Sequence, residues 1–541
     1  MSITIFERQA IPLKKIRIFA VNVLLLTATT LVMRTIGVSF SVYLSNKLGS
    51  AGMGLFTLIS SVYGFGVTFA LSGVNLASTR LTAEAMGKEN PAQVRAAMLR
   101  CLLYGSAFGL TGAFVLFTLA DPMGTHLLED ARTIPSLKIL ALSLPLSSAA
   151  SALSGYFNAV RRTVHSASAQ IIGQLFRIGA TAYLLSLLLP AGLEYACLAV
   201  SGGTALSECL VCLYLYLLYR LDLHRMGNQG QSEPGLTARL CSISLPIALS
   251  TYVRSGLVTV EHLLIPRGLR RFGLGAEGAI AAYGVFSGMV MPVILYPMAF
   301  LTACAGMLIP EIAAEKVSGK SRHIDYITSR ACQITLLFGI GCAGCMICFS
   351  HELGNAIYGS TEAGEYIRIM APLIPIMYLD HITDGLLKGL GEQLYVMRVN
   401  IFDASLSCLL VWLILPHTGM KGYIAIVYLC EILNTALSLC RLMRCTQIRF
   451  PLLRWLILPL GSIILSSWGV RLLFTLGRIY LTWQPAELIL HILCSLGGYV
   501  LLLLLTGSLS REDIGWLRGI LTGEKKENGS GVNRSLLQSN L

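Results

Sequence analysis

Apolar runs of about twenty residues recur along the whole chain, separated by short polar connections. A run of that length crosses ~30 Å of hydrocarbon as a helix. In lipid only a helix or a closed barrel satisfies its own backbone groups, and these runs lack the ~10-residue alternation of barrel strands. The pattern therefore predicts an all-α polytopic membrane protein of about fourteen transmembrane helices by the length rule. The expected spans centre near residues 30, 66, 108, 146, 180, 207, 252, 290, 338, 378, 408, 430, 465 and 496. The first run, about Ile18 to Leu44, is too long for a signal-peptide core and no small-residue cleavage site follows it, so it reads as the first span.

Charge changes the picture by giving these spans a direction. Only 13% of the 541 residues are charged, 55% are hydrophobic and the mean hydropathy is +0.69. A soluble domain carries about a quarter charged residues. The net charge of +13 sits at the ends of apolar runs rather than in one patch, which argues against nucleic acid and for membrane orientation. With the N-terminus inside, the inward connections collect Lys14, Lys15 and Arg17, then Arg80, Lys88 and Arg95, Arg161 and Arg162, Lys388 and Arg398, and Arg441 with Arg444. The outward connection at 121–132 is acidic, with Asp121, Glu129 and Asp130. The expected placement is a multi-pass cell (plasma) membrane protein with both termini cytoplasmic. One connection disobeys: Arg267, Arg270 and Arg271 follow the seventh span, which should end outside. Either the count is off by a helix or the outer loop uses basic charge for a purpose.

The connection at 220–239 is polar and Gly-rich and divides the first twelve spans evenly. Short motifs recur across it at a common offset: LTAEAMGK (81–88) with IAAEKVSGK (312–320), GYFNAVRR (155–162) with GLLKGLGE (385–392), and LGSAGMG (48–54) with LGAEG (274–278). An even number of spans per half makes the repeats parallel, as in transporters whose halves rock about a central cavity. The expected division is an N-terminal six-helix lobe at 1–219, a cytoplasmic linker at 220–239 and a C-terminal six-helix lobe at 240–445. Two additional transmembrane helices at 446–510 and a polar cytoplasmic tail at 511–541 complete it.

The run Arg34-Thr-Ile-Gly37, followed by Leu48-Gly49-Ser-Ala-Gly52-Met-Gly54-Leu-Phe56, resembles the opening of the polysaccharide exporter and lipid II flippase branch of the MATE-like (MOP) superfamily. Within that branch it is most similar to the stage V sporulation protein B group. SGYFNAVRR (154–162), Gln170…Gln174…Arg177, the segments at 245–273 and 284–314, and DGLLKGLGE (384–392) extend the resemblance over about 15–510. It implies a fourteen-helix, two-lobed fold that flips or exports lipid-linked saccharides such as cell-wall or spore-cortex precursors. Of the cavity arginines that characterised lipid II flippases carry on their first two spans, only Arg34 has a match; 56–73 holds no charge.

Charge inside a span is costly and faces a cavity or a partner. Arg34 reads as a guanidinium for a pyrophosphate or sugar phosphate, or as a snorkelling residue. Arg254 and Glu261 share one face of span seven and either line the cavity or pair with neighbours. Gln170, Gln174 and Arg177 form one polar stripe on span five, as substrate contacts or as interhelical glue. Asp380, His381 and Asp384 are the candidates for coupling to Na⁺ or H⁺, or else cap the end of span ten.

Cys342, Cys345 and Cys348 lie mid-span and read as helix packing, so no metal is expected. Gly319-Lys320-Ser321 lacks the upstream glycine of a phosphate-binding loop, Ala314 standing there, and no cofactor or enzyme activity is expected. The sequence reading is a flippase of an anionic lipid-linked saccharide working by alternating access. The alternative is a cation-coupled multidrug exporter of the MATE type, whose cavity should be acidic rather than lined by Arg34 and Arg254. A membrane glycosyltransferase needs a large acidic outer loop, which is missing.

Overall fold

A computed structural model describes residues 13–225, 235–317, 321–448, 450–477, 484–510, 513 and 515. Every regular element among them is helical. The helices are α1 (Leu13–Leu71), α2 (Val74–Gly87), α3 (Pro91–Pro122), α4 (Ile134–Ala159), α5 (Thr163–Leu188), α6 (Leu193–Arg225) and α7 (Leu236–Phe272). There follow α8 (Ala276–Tyr283), a π-helical turn over Gly284–Val290, α9 (Met291–Leu295), α10 (Met298–Val317) and α11 (Ser321–Cys348). The short α12 (Ser350–Tyr358), α13 (Thr361–Met370) and α14 (Ile374–Gly389) lead into α15 (Gln393–Cys445), α16 (Leu458–Gly477) and α17 (Gln484–Leu505). The expected linker at 220–239 begins inside α6 and ends inside α7; 226–234 lie outside the described residues, as does nearly all of the expected tail.

Among the described residues eleven helical stretches are long and apolar enough to cross a membrane, where the sequence reading expects fourteen spans. The difference has a physical origin. At 1.5 Å per residue the 59 residues of α1 would extend roughly 90 Å, about three times the hydrocarbon thickness. Gly49 breaks that run with φ of 70°, and Gly419 does the same inside the 53-residue α15 with φ of 62°. Both are left-handed conformations that glycine adopts without steric cost. The region expected as span ten is α13, a 3₁₀ turn (Ala371–Leu373) and α14, which run on without a break but carry Asp380, His381 and Asp384 within the apolar stretch.

The repeated motif at 155–162 and 385–392 folds into the same turn twice. Val160, Arg161 and Arg162 donate backbone hydrogen bonds to Tyr156, Asn158 and Phe157; Leu390, Gly391 and Glu392 donate in the same pattern to Leu386, Lys388 and Leu387. The motifs at 48–54 and 274–278 lie at a tight contact, where α1 beyond its bend packs on α8 and the π-helical turn. Helix α7 connects the chain's two parts. Its first turns bury Leu236 and Leu240 among Val74, Leu81 and Ala97 of α2 and α3, while further along it packs against α15. On α11, a Cβ at Gly341 would meet Tyr499 of α17 at 2.9 Å and one at Gly344 would meet Ile463 of α16 at 2.2 Å. This segment, with Cys345 buried in it, is a packing face for the last two helices.

Candidate functional site

Two arginines on membrane-crossing helices keep their guanidiniums available. Arg34 on α1 and Arg254 on α7 are exposed, and neither makes a hydrogen bond or ion pair to any described residue. Next to Arg34, Thr35 Oγ1 meets Tyr296 Oη at 3.1 Å, tying α1 to the segment between α9 and α10. Arg34 lies within electrostatic reach of His381 on α14, whose Nε2 is 3.0 Å from Thr302 Oγ1 of α10. Arg254 is within reach of Asp380 and Asp403. A guanidinium at membrane depth without a carboxylate in contact is costly, so its place in the fold calls for an anion or water-filled space beside it.

The stripe on α5 has a different fate. Arg177 donates to Gln174 Oε1, sits 5.9 Å from the Phe40 ring centroid and interacts with Glu208 of α6. Glu208 in turn accepts from Ser147 Oγ of α4 at 2.9 Å, beside a Tyr63–Ser143 hydroxyl pair at 2.8 Å. Gln174 and Arg177 thus join α1, α4, α5 and α6 through a polar network, and Gln170 stands apart, exposed. Glu208 went unnoticed in the sequence, although a lone carboxylate inside the apolar run 207–219 is the same kind of signal that picks out Arg34.

The second half gathers carboxyl groups. Asp380 accepts from Asn434 Nδ2 at 3.1 Å, Asp384 from Asn400 Nδ2 at 3.1 Å, and Glu261 of α7 from Ser407 Oγ at 2.7 Å. Asp403 and Glu431 of α15 lie within electrostatic reach of Asp380. The candidates on α7 and α14 therefore meet along α15, which supplies Asn400, Asp403, Ser407, Glu431 and Asn434. The oxygens Asp380 Oδ1, Asp403 Oδ1 and Asn434 Oδ1 are buried and have no hydrogen-bond partner. Sequence spacing did not predict this grouping, because Asn400, Asp403 and Ser407 come from the helix before Gly419, and Glu431 and Asn434 from the helix after it. The grouping brings five carboxyls into one region, two of them, Asp380 and Asp403, within electrostatic reach of Arg254, though among the described residues no three of them stand close enough together to hold a metal ion.

All-helical architecture, stretches that cross a bilayer and a charged interior together define a multi-pass membrane protein of the transporter type. The chain belongs to the polysaccharide biosynthesis protein family, whose family model matches residues 19–316. A second model, MatE, matches 273–413. Stage V sporulation protein B of Bacillus subtilis (strain 168) is 23% identical over 412 residues, covering 75% of this chain and 79% of that protein. The solved structure of the lipid II flippase MurJ in an inward closed conformation aligns with a TM-score of 0.63 at 12% identity, covering 88% of this chain and 97% of that one. An inward-facing multidrug resistance MATE family transporter aligns with a TM-score of 0.61 at 12% identity, covering 77% and 98%.

Proposed function

We propose that this protein flips or exports a lipid-linked, anionic saccharide of the cell envelope across the cell membrane, with both termini cytoplasmic. The observation that carries the reading is the pair of unpartnered guanidiniums, Arg34 and Arg254, on helices from the two halves of the chain. A phosphate or pyrophosphate accepts from guanidinium nitrogens in the fork geometry that makes such bonds short and strong. The lipid tail needs no protein partner, since it stays in hydrocarbon while the charged head crosses. Alternating access follows from two halves, 1–219 and 240–445, that rock about the space between them. No covalent step is part of this cycle.

The carboxyl group cluster around Asp380, Asp384 and Asp403 supplies the driving side. Five carboxyls, two of them in reach of Arg254, take up cations from water, H⁺ or Na⁺, and their uptake alters the charge that faces Arg254. The same cluster favours a second reading, cation-coupled export of organic cations, in which the acidic half would hold the cargo. Vesicles reconstituted with the full-length protein separate the two. A fluorescent lipid-linked oligosaccharide is expected to cross between leaflets faster than in empty vesicles, with ethidium flux at background. Ethidium flux that depends on Asp384, with the lipid left in place, establishes the second reading instead.

A further inference from the structure

The arginines that broke the charge rule have an identifiable partner. Glu129, in the connection between α3 and α4, accepts from Arg267 Nε at 3.0 Å and from Arg270 Nη1 at 2.6 Å. Arg267 also donates to the His126 carbonyl. These contacts lie close to the place where the two parts of the chain touch backbone to backbone: Arg132 is in electrostatic reach of Glu277 at the start of α8. There a Cβ on Gly54 would stand 2.1 Å from the Ile280 carbonyl oxygen, and one on Gly284 2.1 Å from that of Ser50. The two parts of the chain are in backbone contact at this end, and Glu129 bridges from the α3–α4 connection to α7 beside it.

Pairing at this end is uneven. Asp130 is taken up by Arg132 at 2.7 Å and Asp121 by Lys138 at 2.9 Å. Arg267 and Arg270 both pair with the carboxylate of Glu129, and Glu277 is in reach of Arg132. Arg271 is exposed with no described partner, and Arg270 keeps its buried Nε unpartnered. Arg267 and Arg270, three residues apart on one face of α7, aim two guanidiniums at two oxygens of one anion, which is also how arginines hold a phosphate.

We propose that Arg267 and Arg270 form an exchangeable anion seat at this end. Glu129 fills it while the halves are closed, and a phosphate group takes its place when they part. The inference rests on the alternating-access reading in one respect: Glu129 belongs to the first half and the arginines to α7, so separation withdraws the carboxylate and bares both guanidiniums. An anion arriving from the cavity then finds a cationic partner at the opening, and its departure lets Glu129 return. Basic charge at a loop expected outside thereby has a use that membrane orientation alone does not supply.

Hydrogen–deuterium exchange of the full-length protein tests this without any transport measurement, so failure of the flippase reading would leave the result standing. In phosphatidylcholine nanodiscs, inorganic pyrophosphate is the probe. With Glu129→Gln, it is expected to slow exchange across 262–275 by about 2–5-fold, more than in the wild type, as a bound anion suppresses local opening. Adding Arg267→Gln and Arg270→Gln should abolish the effect. A parallel sample in nanodiscs containing phosphatidylglycerol, without pyrophosphate, identifies the source: slowing only there assigns the seat to membrane headgroups rather than free phosphate. No slowing in either bilayer, while α3 exchanges as in the wild type, would overturn the proposal. So would slowing that survives loss of both arginines.

Discussion

Glu208 and Arg177 show how a buried charge can be structural rather than a ligand. Arg177 spends its hydrogen bond on Gln174 and its charge on Glu208, and Glu208 is anchored by Ser147. Removing one member leaves the other inside the helix bundle without a counter-charge, which costs more than removing both. Glu208→Gln is therefore expected to lower the thermal unfolding midpoint in detergent by an amount equivalent to about 1–3 kcal/mol, with Glu208→Gln plus Arg177→Gln recovering part of it. A single variant that melts with the wild type would show that the pair contributes nothing.

At this scale the sequence was readable at most places where one residue broke an apolar run, Glu208 being an exception. Arg34, Arg254, Glu261 and Asp384 stand out for that reason. Their partners did not. Ser407 lies 146 residues from Glu261, and Arg267 lies 138 from Glu129, so only the folded chain brings them together.

Among the elements, the bent helices do most to shape the site. Apolar periodicity locates α3, α4, α5, α6, α11, α16 and α17 close to where they occur. The breaks inside α1 and α15 were legible too: Gly49 and Gly419 turn the backbone where Asn46 and Lys47, and His417 and Lys421, already part the expected spans. Past its bend, α1 lies so near the π-helical turn that Gly284 has space for hydrogen only. Gly284→Ala is predicted to push α1 and α8 apart. Labelling of a cysteine placed at Ser50 by a membrane-impermeant thiol reagent should then rise several-fold over the same cysteine in the parent. Equal labelling would mean that the contact yields elsewhere and does not hold the two parts of the chain together.

For the whole molecule, fold class and membrane class were legible because lipid leaves so few solutions: satisfied backbone, long apolar runs and basic residues at their ends. Of the three short motifs that suggested a parallel repeat, one reappears as the same turn at 160 and at 390. The electrical asymmetry was not legible. The first half presents Arg34 and neutralises Arg177 internally, whereas the second collects five carboxyls, two of them in reach of Arg254, a grouping set by how α7, α14 and α15 cross. The proposed anion carrier with a cation-coupled half rests on that asymmetry.

The central claim is that the unpartnered guanidinium of Arg34 holds the anionic head of the cargo. The most direct measurement is the rate of transbilayer movement of a fluorescent lipid-linked oligosaccharide in vesicles bearing wild type, Arg34→Ala or Arg34→Lys. A lost charged hydrogen bond of about 1.5–3 kcal/mol predicts a roughly 10- to 100-fold slower rate for Arg34→Ala, with Arg34→Lys in between. Movement at the wild-type rate in Arg34→Ala, and again when Arg254→Ala is added, would contradict the account.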